Sequence, residues 1–277
     1  MADIRIIALD LDGTLLTSDK RLSPGNAAAR ERAAARGIEI VPTTGRFYDA
    51  MPAVIRELPY MHYAITINGA QVYDIGRDKA VSTAEIPLAQ ALDIMAYLDG
   101  LPLIYDCYMD NKAWMTRAMW DQADVYAPDI YYLKMLRELR TPVDELKAFV
   151  RAQGRDIQKI QFFTNDQALR VRLLRELGAR FPDTAISTSV VNNVEINAAR
   201  AHKGAALRQL ADYLGLAMTQ TMAFGDGLND VSMIAAAGVG VAMANGCDEA
   251  KAKAAYITAD CDSDGVAQAI ERFCLQA

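Results

Sequence analysis

The stretch IRIIALDLDGTL, residues 4–15, joins an apolar strand pattern to two carboxylates. Its first half is almost wholly apolar rather than alternating, which is typical of a parallel strand covered on both faces. Asp10 and Asp12 follow directly, and their two-residue spacing in an extended chain points both side chains to the same side. Gly13 then lets the backbone turn sharply. Because ligands of open α/β sheets bind at the carboxyl ends of strands, this point is a candidate functional site.

The residues that follow predict an α/β fold with a doubly wound parallel sheet. Ser23 is suited to cap a helix that begins at Pro24, and Gly37 is suited to end it. The segments IEIVPTTG, residues 38–45, and YAITING, residues 63–69, read as further strands with a helical stretch around residues 47–58 between them. Alternating strands and helices predict a Rossmann-like core.

A change of pattern near Gln71 predicts a second domain. Residues 71–86 read as a hairpin that turns at residues 76–78, and the next hundred residues mix strands and helices as an α+β block. The first pattern resumes from about Glu195. We therefore predict a catalytic core, residues 1–83 and 196–277, interrupted by an inserted α+β cap domain, residues 84–195.

Composition narrows the class of protein. The chain has 277 residues, of which 52% are hydrophobic and 23% charged, as in soluble globular proteins. The net charge of -6 and the lack of a dense Lys/Arg block argue against a nucleic-acid partner. The four cysteines lack C-x-x-C spacing, which argues against a zinc site or a disulfide framework. No signal peptide or segment of about 20 apolar residues is visible, so we expect a cytoplasmic protein without a membrane partner.

A second acidic strand end lies in TMAFGDGLND, residues 221–230. Asp226 follows an apolar run, and Asp230 comes four residues later at the predicted start of a helix, where an acid also suits the helix dipole. Carboxylates at two neighbouring strand ends are the hard oxygen ligands that Mg²⁺ takes. Capping and turn formation would explain Asp230 but not Asp226 and Asn229 together.

Two further segments are suited to a phosphate group. VPTTGR, residues 41–46, places the Thr44 hydroxyl beside a glycine at a strand end. HKG, residues 202–204, places Lys203 at a helix N-terminus, where a cation is unfavourable unless an anion lies nearby. Either segment alone is weak evidence for a phosphate site, because a threonine in a turn and a solvated lysine are common.

Other motifs compete with this interpretation. DCDSDGVAQAIE, residues 260–271, has the spacing of an EF-hand calcium loop, but the preceding segment reads as a strand, so a turn followed by a helix cap is favoured. GVGVAMANG, residues 238–246, has its third glycine too late for a dinucleotide loop. His62 and His202 are interpreted as structural rather than catalytic.

The ordered segments DLDGTL, TTGR, HKG and GDGLND resemble the four motifs of the haloacid dehalogenase (HAD) superfamily of phosphotransferases. The insert after the third strand, together with ITINGA, residues 65–70, resembles the Cof-type branch. That branch consists of magnesium-dependent phosphatases of sugar phosphates and cofactor phosphates. The resemblance implies a Rossmann-like HAD core with a cap that excludes water and selects the substrate.

The resemblance implies a role for each matched residue. Asp10 would be the nucleophile that forms an aspartyl-phosphate, and Asp12 would be the acid and base, with its backbone carbonyl on Mg²⁺. Thr44 and Lys203 would complete the catalytic set. The implied phosphate-binding residues are Thr44, Gly45, Arg46, Asn68, Lys203 and Asn229. The implied metal-binding residues are Asp10, Asp12, Asp226 and Asp230.

These patterns together predict a Mg²⁺-dependent phosphatase. Its partner would be a small phosphorylated metabolite, such as a sugar phosphate, FMN or pyridoxal phosphate, and the protein would be a monomer or a small homo-oligomer. One alternative is a sugar phosphomutase, which shares the aspartyl-phosphate chemistry. The other is a non-catalytic protein that binds calcium or phosphate.

Overall fold

The computed structural model describes residues 3–276, which form strands and helices joined by turns and loops. The strands are β1 (Ile6–Leu9), β2 (Glu39–Pro42), β3 (Tyr63–Thr66), β4 (Gln71–Asp74), β5 (Lys79–Thr83), β6 (Ile104–Met109), β7 (Lys112–Thr116), β8 (Arg140–Val143), β9 (Lys159–Phe163), β10 (Thr184–Ser187), β11 (Asn193–Ala198), β12 (Thr221–Gly225), β13 (Val239–Ala242) and β14 (Tyr256–Ile257). The α-helices are α1 (Pro24–Ala35), α2 (Ala53–Arg56), α3 (Leu88–Leu98), α4 (Arg117–Asp121), α5 (Ala123–Tyr126), α6 (Ile130–Leu139), α7 (Leu146–Gln153), α8 (Gln167–Arg180), α9 (Lys203–Tyr213), α10 (Val231–Ala236), α11 (Asp248–Lys253) and α12 (Gly265–Ile270).

The chain divides into two compact units. The first, called the core unit, contains the residues up to Arg46, Met51–Thr83 and the residues from His202 onward. The second, called the insert unit, contains Phe47–Ala50 and Ala84–Ala201.

A five-stranded parallel sheet organises the core unit, in the order β14-β13-β12-β1-β2. Strand β1 lies between β12 and β2, with Ile6 paired to Thr221 on one side and Glu39 on the other. All four β1 residues are fully buried, as their continuous apolar run predicted. This central position brings the end of β1 beside the end of β12.

Helices complete the core unit. Ser23 caps α1 by accepting a hydrogen bond from the Asn26 N–H, as predicted. On the sheet, Leu207 and Leu210 of α9 form one apolar cluster with Ile6 and Val41. The packing of α9 fixes the position of its first residue, which carries a functional side chain.

Strands β3, β4 and β5 form an antiparallel sheet of three strands, so the predicted hairpin is present. The predicted helix around residues 47–58 is interrupted. It consists of a 3₁₀ turn, Tyr48–Ala50, and the single-turn helix α2. Pro52 separates the two, because its ring and missing N–H do not allow a helix to continue through it.

The insert unit is built on a six-stranded sheet in the order β10-β11-β9-β6-β7-β8. Its neighbouring strands are antiparallel, except β7 and β8, which are parallel. Side chains alternate between the two faces. In β6, Tyr105 and Cys107 lie on one face, whereas Asp106 and Tyr108 lie on the other with buried polar partners.

The fold class is confirmed, since a parallel α/β sheet is interrupted by an inserted α+β unit. The unit boundaries differ from the predicted ones at two places. Residues 47–50 and 196–201 cluster with the insert unit, although the sequence placed them in the core. The second difference arises because β11 is one continuous strand that pairs with both β9 and β10.

Among residues 3–276, no helix combines the length and the apolar character that crossing a membrane requires.

Candidate functional site

The site lies where the carboxyl ends of two core strands meet. Leu9 at the end of β1 is paired with Phe224 of β12, and the Asp10 N–H donates to the Phe224 carbonyl at 3.1 Å. Asp10 and Asp226 are therefore the first acidic residues beyond two adjacent parallel strands. This is the edge of the sheet at which open α/β folds bind ligands.

Asp10, Asp226 and Asp230 form an acidic cluster, in which each offers one carboxylate oxygen and all these oxygens lie within 4.8 Å of one another. Asp10 and Asp230 are buried. Burial, reinforced by Asp230, raises the pKa of Asp10 well above its ordinary value, although Lys203 opposes the shift. Burial and Asp230 also raise the pKa of Asp226, to about 6.

The acidic cluster is chemically suited to a divalent cation. When ionised, its three carboxylates carry three negative charges. The one lysine that contacts them neutralises one of these charges, so two remain without a counter-charge. Hard carboxylate oxygens are the ligands that Mg²⁺ takes. Gly13 permits this crowding: its φ is +85°, and a Cβ at that position would collide with the Asp226 carboxylate.

Lys203 joins two members of the acidic cluster. Its side chain is wholly buried, and its Nζ lies 2.6 Å from Asp10 Oδ1 and 2.5 Å from Asp230 Oδ1. It is the first residue of α9, and the preceding His202 caps that helix by accepting from the Ala205 N–H at 3.1 Å. The anions beside Lys203 thus account for a cation at a helix N-terminus.

Asp230 also holds the loop that follows β12. Its Oδ2 accepts hydrogen bonds from the backbone N–H groups of Asp226, at 3.0 Å, and Gly227, at 2.9 Å. The carboxylate of Asp226 has fewer partners, since it accepts one hydrogen bond, from the Thr14 hydroxyl at 3.0 Å. Of the two acids after β12, Asp226 therefore has the greater free ligand capacity.

Asp12 lies outside the acidic cluster and is bound by cations. Its carboxylate accepts from Arg46 Nε at 3.0 Å and Arg46 Nη2 at 2.9 Å, and Lys20 Nζ lies 2.9 Å away. Burial opposes the charge on Asp12, but Arg46 and Lys20 outweigh this effect and lower its pKa. The structure therefore holds Asp12 in its ionised form.

The remaining predicted phosphate-binding residues lie around the turns after β2 and β3. The buried Thr44 hydroxyl accepts from the Arg46 N–H at 3.2 Å, and the Thr44 carbonyl accepts from the Asn68 N–H at 3.0 Å. Asn229 donates to Asn68 Oδ1 at 3.3 Å. A Cβ at Gly45 would come within 2.8 Å of the same oxygen. All the predicted site residues therefore belong to the core unit.

Thr14 and Lys20 also contact the site acids, and neither was predicted from the sequence. Thr14 follows the motif glycine, and its position beside a second acidic strand end could have indicated a supporting hydrogen bond. Lys20 gave no such signal, because its contact with Asp12 depends on the path of the loop between them. It has a positive φ of 63°, in the left-handed region.

The acids of the EF-hand-like segment serve other purposes. Asp262 accepts from the Ser18 N–H at 2.8 Å, Asp264 accepts from the Ser23 hydroxyl at 2.5 Å, and Glu271 pairs with Arg32. In the described part of the chain, the group of acids with suitable spacing for a metal is the acidic cluster. The favoured interpretation of a turn before a helix agrees with α12, which begins at Gly265.

A sequence profile of the haloacid dehalogenase-like hydrolases matches residues 7–270. The chain belongs to this family. The predicted resemblance to the Cof-type branch is confirmed, and the protein is an enzyme of the phosphatase type.

Individual relatives cover nearly the whole chain. The 5-amino-6-(5-phospho-D-ribitylamino)uracil phosphatase of Bacillus subtilis is 30% identical over 273 residues, which cover 99% of this chain and 97% of the relative. The pyridoxal phosphate phosphatase of Escherichia coli is 31% identical over 276 residues, which cover 96% and 97%. A solved haloacid dehalogenase-like hydrolase from Bacteroides thetaiotaomicron superposes with a TM-score of 0.82 at 26% identity and covers 97% of this chain and 99% of that one.

Proposed function

We propose that this HAD hydrolase is a Mg²⁺-dependent phosphatase that cleaves a small phosphorylated metabolite through an aspartyl-phosphate. The observation that carries the proposal is the contact of Lys203 with Asp10 and Asp230 beside Asp226. This arrangement combines a nucleophile, a buried cation and carboxylate ligands where two adjacent strands end.

Asp10 attacks phosphorus in the proposed reaction. Lys203 donates a hydrogen bond to Asp10 Oδ1. The other carboxylate oxygen, Oδ2, is therefore the proposed attacking atom. A bond forms between Oδ2 and phosphorus as the bond to the leaving alkoxide breaks, and water later hydrolyses the aspartyl-phosphate. Lys203 neutralises negative charge at the reacting carboxylate and on the phosphoryl oxygens.

Mg²⁺, when bound, supplies charge neutralisation and orientation for the phosphoryl oxygens. Asp226 would hold it through its carboxylate and Asp10 through the oxygen that does not attack phosphorus, with the backbone carbonyl of Asp12 as a further ligand. Asp230 would support this set mainly by fixing the Asp226 loop and Lys203, because both its oxygens are engaged. Thr44, Gly45, Asn68 and Asn229 would orient the phosphoryl group.

Asp12 donates a proton to the leaving alkoxide in this scheme, and then takes one from the attacking water. Its ion pair with Arg46 and Lys20 opposes the protonated form. An incoming phosphate dianion competes with Asp12 for Arg46, so Asp12 takes up a proton from solvent once Arg46 binds the substrate. The ion pair is then a resting state of the acid.

The relatives, rather than the core unit, support the proposed substrate class. The two relatives described above are phosphatases of 5-amino-6-(5-phospho-D-ribitylamino)uracil and of pyridoxal phosphate, both small phosphorylated molecules. We propose that the partner of this chain is likewise a small phosphorylated metabolite.

The test is a phosphate-release screen over sugar phosphates, nucleotides, FMN and pyridoxal phosphate, with Mg²⁺ and with EDTA. Asp10→Asn should lower phosphate release by at least about 10³-fold, because the amide is not a nucleophile. Asp212→Asn, an exposed acid of the same unit, is the matched control. Unchanged release in folded Asp10→Asn would exclude the aspartyl-phosphate route.

A further inference from the structure

The insert unit contains a second buried group of polar residues, which lies outside the four sequence motifs. Strand pairing places Asp106 opposite Gln161 and Tyr108 opposite Lys159, so the four side chains share one face of the sheet. Each is at most 4% exposed. We call the following six residues the sheet-face cluster: Asp106, Tyr108, Arg140, Lys159, Gln161 and Glu195.

Two donors bridge the same pair of oxygens in this cluster. Arg140 donates to Asp106 Oδ2 and to the Tyr108 hydroxyl, both at 2.9 Å. Gln161 Nε2 donates to Asp106 Oδ2 at 3.0 Å and to the Tyr108 hydroxyl at 3.2 Å. The carboxylate and the phenol are therefore held side by side by one guanidinium and one amide.

These hydrogen bonds leave one acceptor and one donor of the cluster without a partner. Asp106 Oδ1 is buried and has no hydrogen-bond partner. The Tyr108 oxygen already accepts two hydrogen bonds, so its own hydrogen needs an acceptor, and Tyr108 donates no side-chain hydrogen bond to any of residues 3–276. Buried polar groups are normally paired, and each exception requires an explanation.

Charge in the cluster is balanced. Arg140 pairs with Asp106, and Lys159 Nζ lies 3.3 Å from Glu195 Oε1, so two cations face two anions. A charged ligand group would upset this balance, whereas a neutral one would not. At the rim, exposed Ser189 donates to Glu195 Oε1 at 3.0 Å, so the cluster extends to the surface.

We infer that the sheet-face cluster binds a hydroxyl-bearing, uncharged group of a small molecule such as a sugar alcohol. A hydroxyl accepts from Tyr108 and donates to Asp106 Oδ1, or two neighbouring hydroxyls share these contacts. An ammonium could only donate, and a carboxylate or phosphate could only accept. The inference does not depend on the proposed reaction, because binding can be measured with an unphosphorylated molecule.

The experiment is saturation-transfer NMR of ribitol and sorbitol with the full-length protein. We expect binding of at least one of them at millimolar concentration. Tyr108→Phe should weaken the binding about fivefold, the effect of losing one hydrogen bond. Tyr105→Phe is the control, because Tyr105 lies on the opposite face of the same strand and donates to Asp99 at 2.8 Å. Asp106→Asn is a second variant, which should also weaken binding.

Absence of binding by the wild-type protein, or equal binding by wild type and folded Tyr108→Phe and Asp106→Asn, would overturn the inference. A buried water would then be the sole occupant. If binding is found, steady-state kinetics show whether the bound hydroxyl belongs to a substrate or to a separate molecule. A KM raised for sorbitol 6-phosphate but not for p-nitrophenyl phosphate in Tyr108→Phe identifies the hydroxyl as part of a substrate. An unchanged KM for both identifies a separate molecule.

Discussion

The acidic cluster of the core unit and the sheet-face cluster of the insert unit are both buried and polar, but they are incomplete in different ways. The first lacks positive charge, because three carboxylates face one lysine. The second has balanced charge but leaves one hydrogen-bond donor and one acceptor unpaired. A charge deficit favours a cation, and an unpaired donor and acceptor favour a neutral hydroxyl. The kind of imbalance therefore indicates the chemical class of ligand.

Removal of Lys203 should break the acidic cluster with the largest effect. In Lys203→Met, phosphate release should fall about 10² to 10³-fold, because the developing charge on the phosphoryl group loses its cation. The free energy of unfolding should fall by roughly 3 to 5 kcal/mol, since Asp10 and Asp230 are left buried without a counter-charge. Steady-state kinetics and urea unfolding measure the two effects. Exposed Lys79→Met serves as the control, and comparable losses there would contradict the role of Lys203.

Removal of one partner of the Arg140–Asp106 ion pair tests whether the stability of the sheet-face cluster depends on its charge balance. Arg140→Met leaves Asp106 buried without its cation and should lower the free energy of unfolding by about 3 to 5 kcal/mol. The double variant Asp106→Leu with Arg140→Met should regain most of that loss, because no unpaired charge remains. Urea unfolding of both variants is the measurement. A double variant as unstable as the single one would show that charge balance is not what stabilises this face.

A smaller effect of opposite sign is expected at Asp226. Its pKa of about 6 in the folded protein exceeds the ordinary value of 3.8, so the metal-free fold loses stability as the pH rises from about 4 to about 6, and the full loss is present at pH 7. At pH 7 without metal, Asp226→Asn should therefore raise the melting temperature by roughly 2 to 4 °C, corresponding to about 1 kcal/mol. Calorimetry in EDTA measures this change.

Mg²⁺ should reverse the order of the melting temperatures of the wild type and of Asp226→Asn. It should raise the melting temperature of the wild type and of the Asp212→Asn control, and raise that of Asp226→Asn much less. An equal response of all three to Mg²⁺ would show that Asp226 does not hold the metal.

Much of the core unit was predictable because its signals are local. The apolar run before Asp10 predicted a central parallel strand, and Ser23, Pro24 and Gly37 predicted α1. The order of the four motifs predicted the family. Residues 47–50 cluster with the insert unit, unlike their predicted place in the core, since they contact partners far away in sequence such as Tyr108 and Asn111.

The sequence alone determined which chemical groups this protein has and where the strands that carry them end, because side-chain periodicity and capping act over a few residues. Only the tertiary structure determined their partners. Lys203 meets Asp10 across 193 residues of sequence, Lys20 and Arg46 hold Asp12 ionised, and Asp106 shares Arg140 with Tyr108. Charges and hydrogen bonds act through space, so the balance of each cluster depends on contacts that no local pattern encodes.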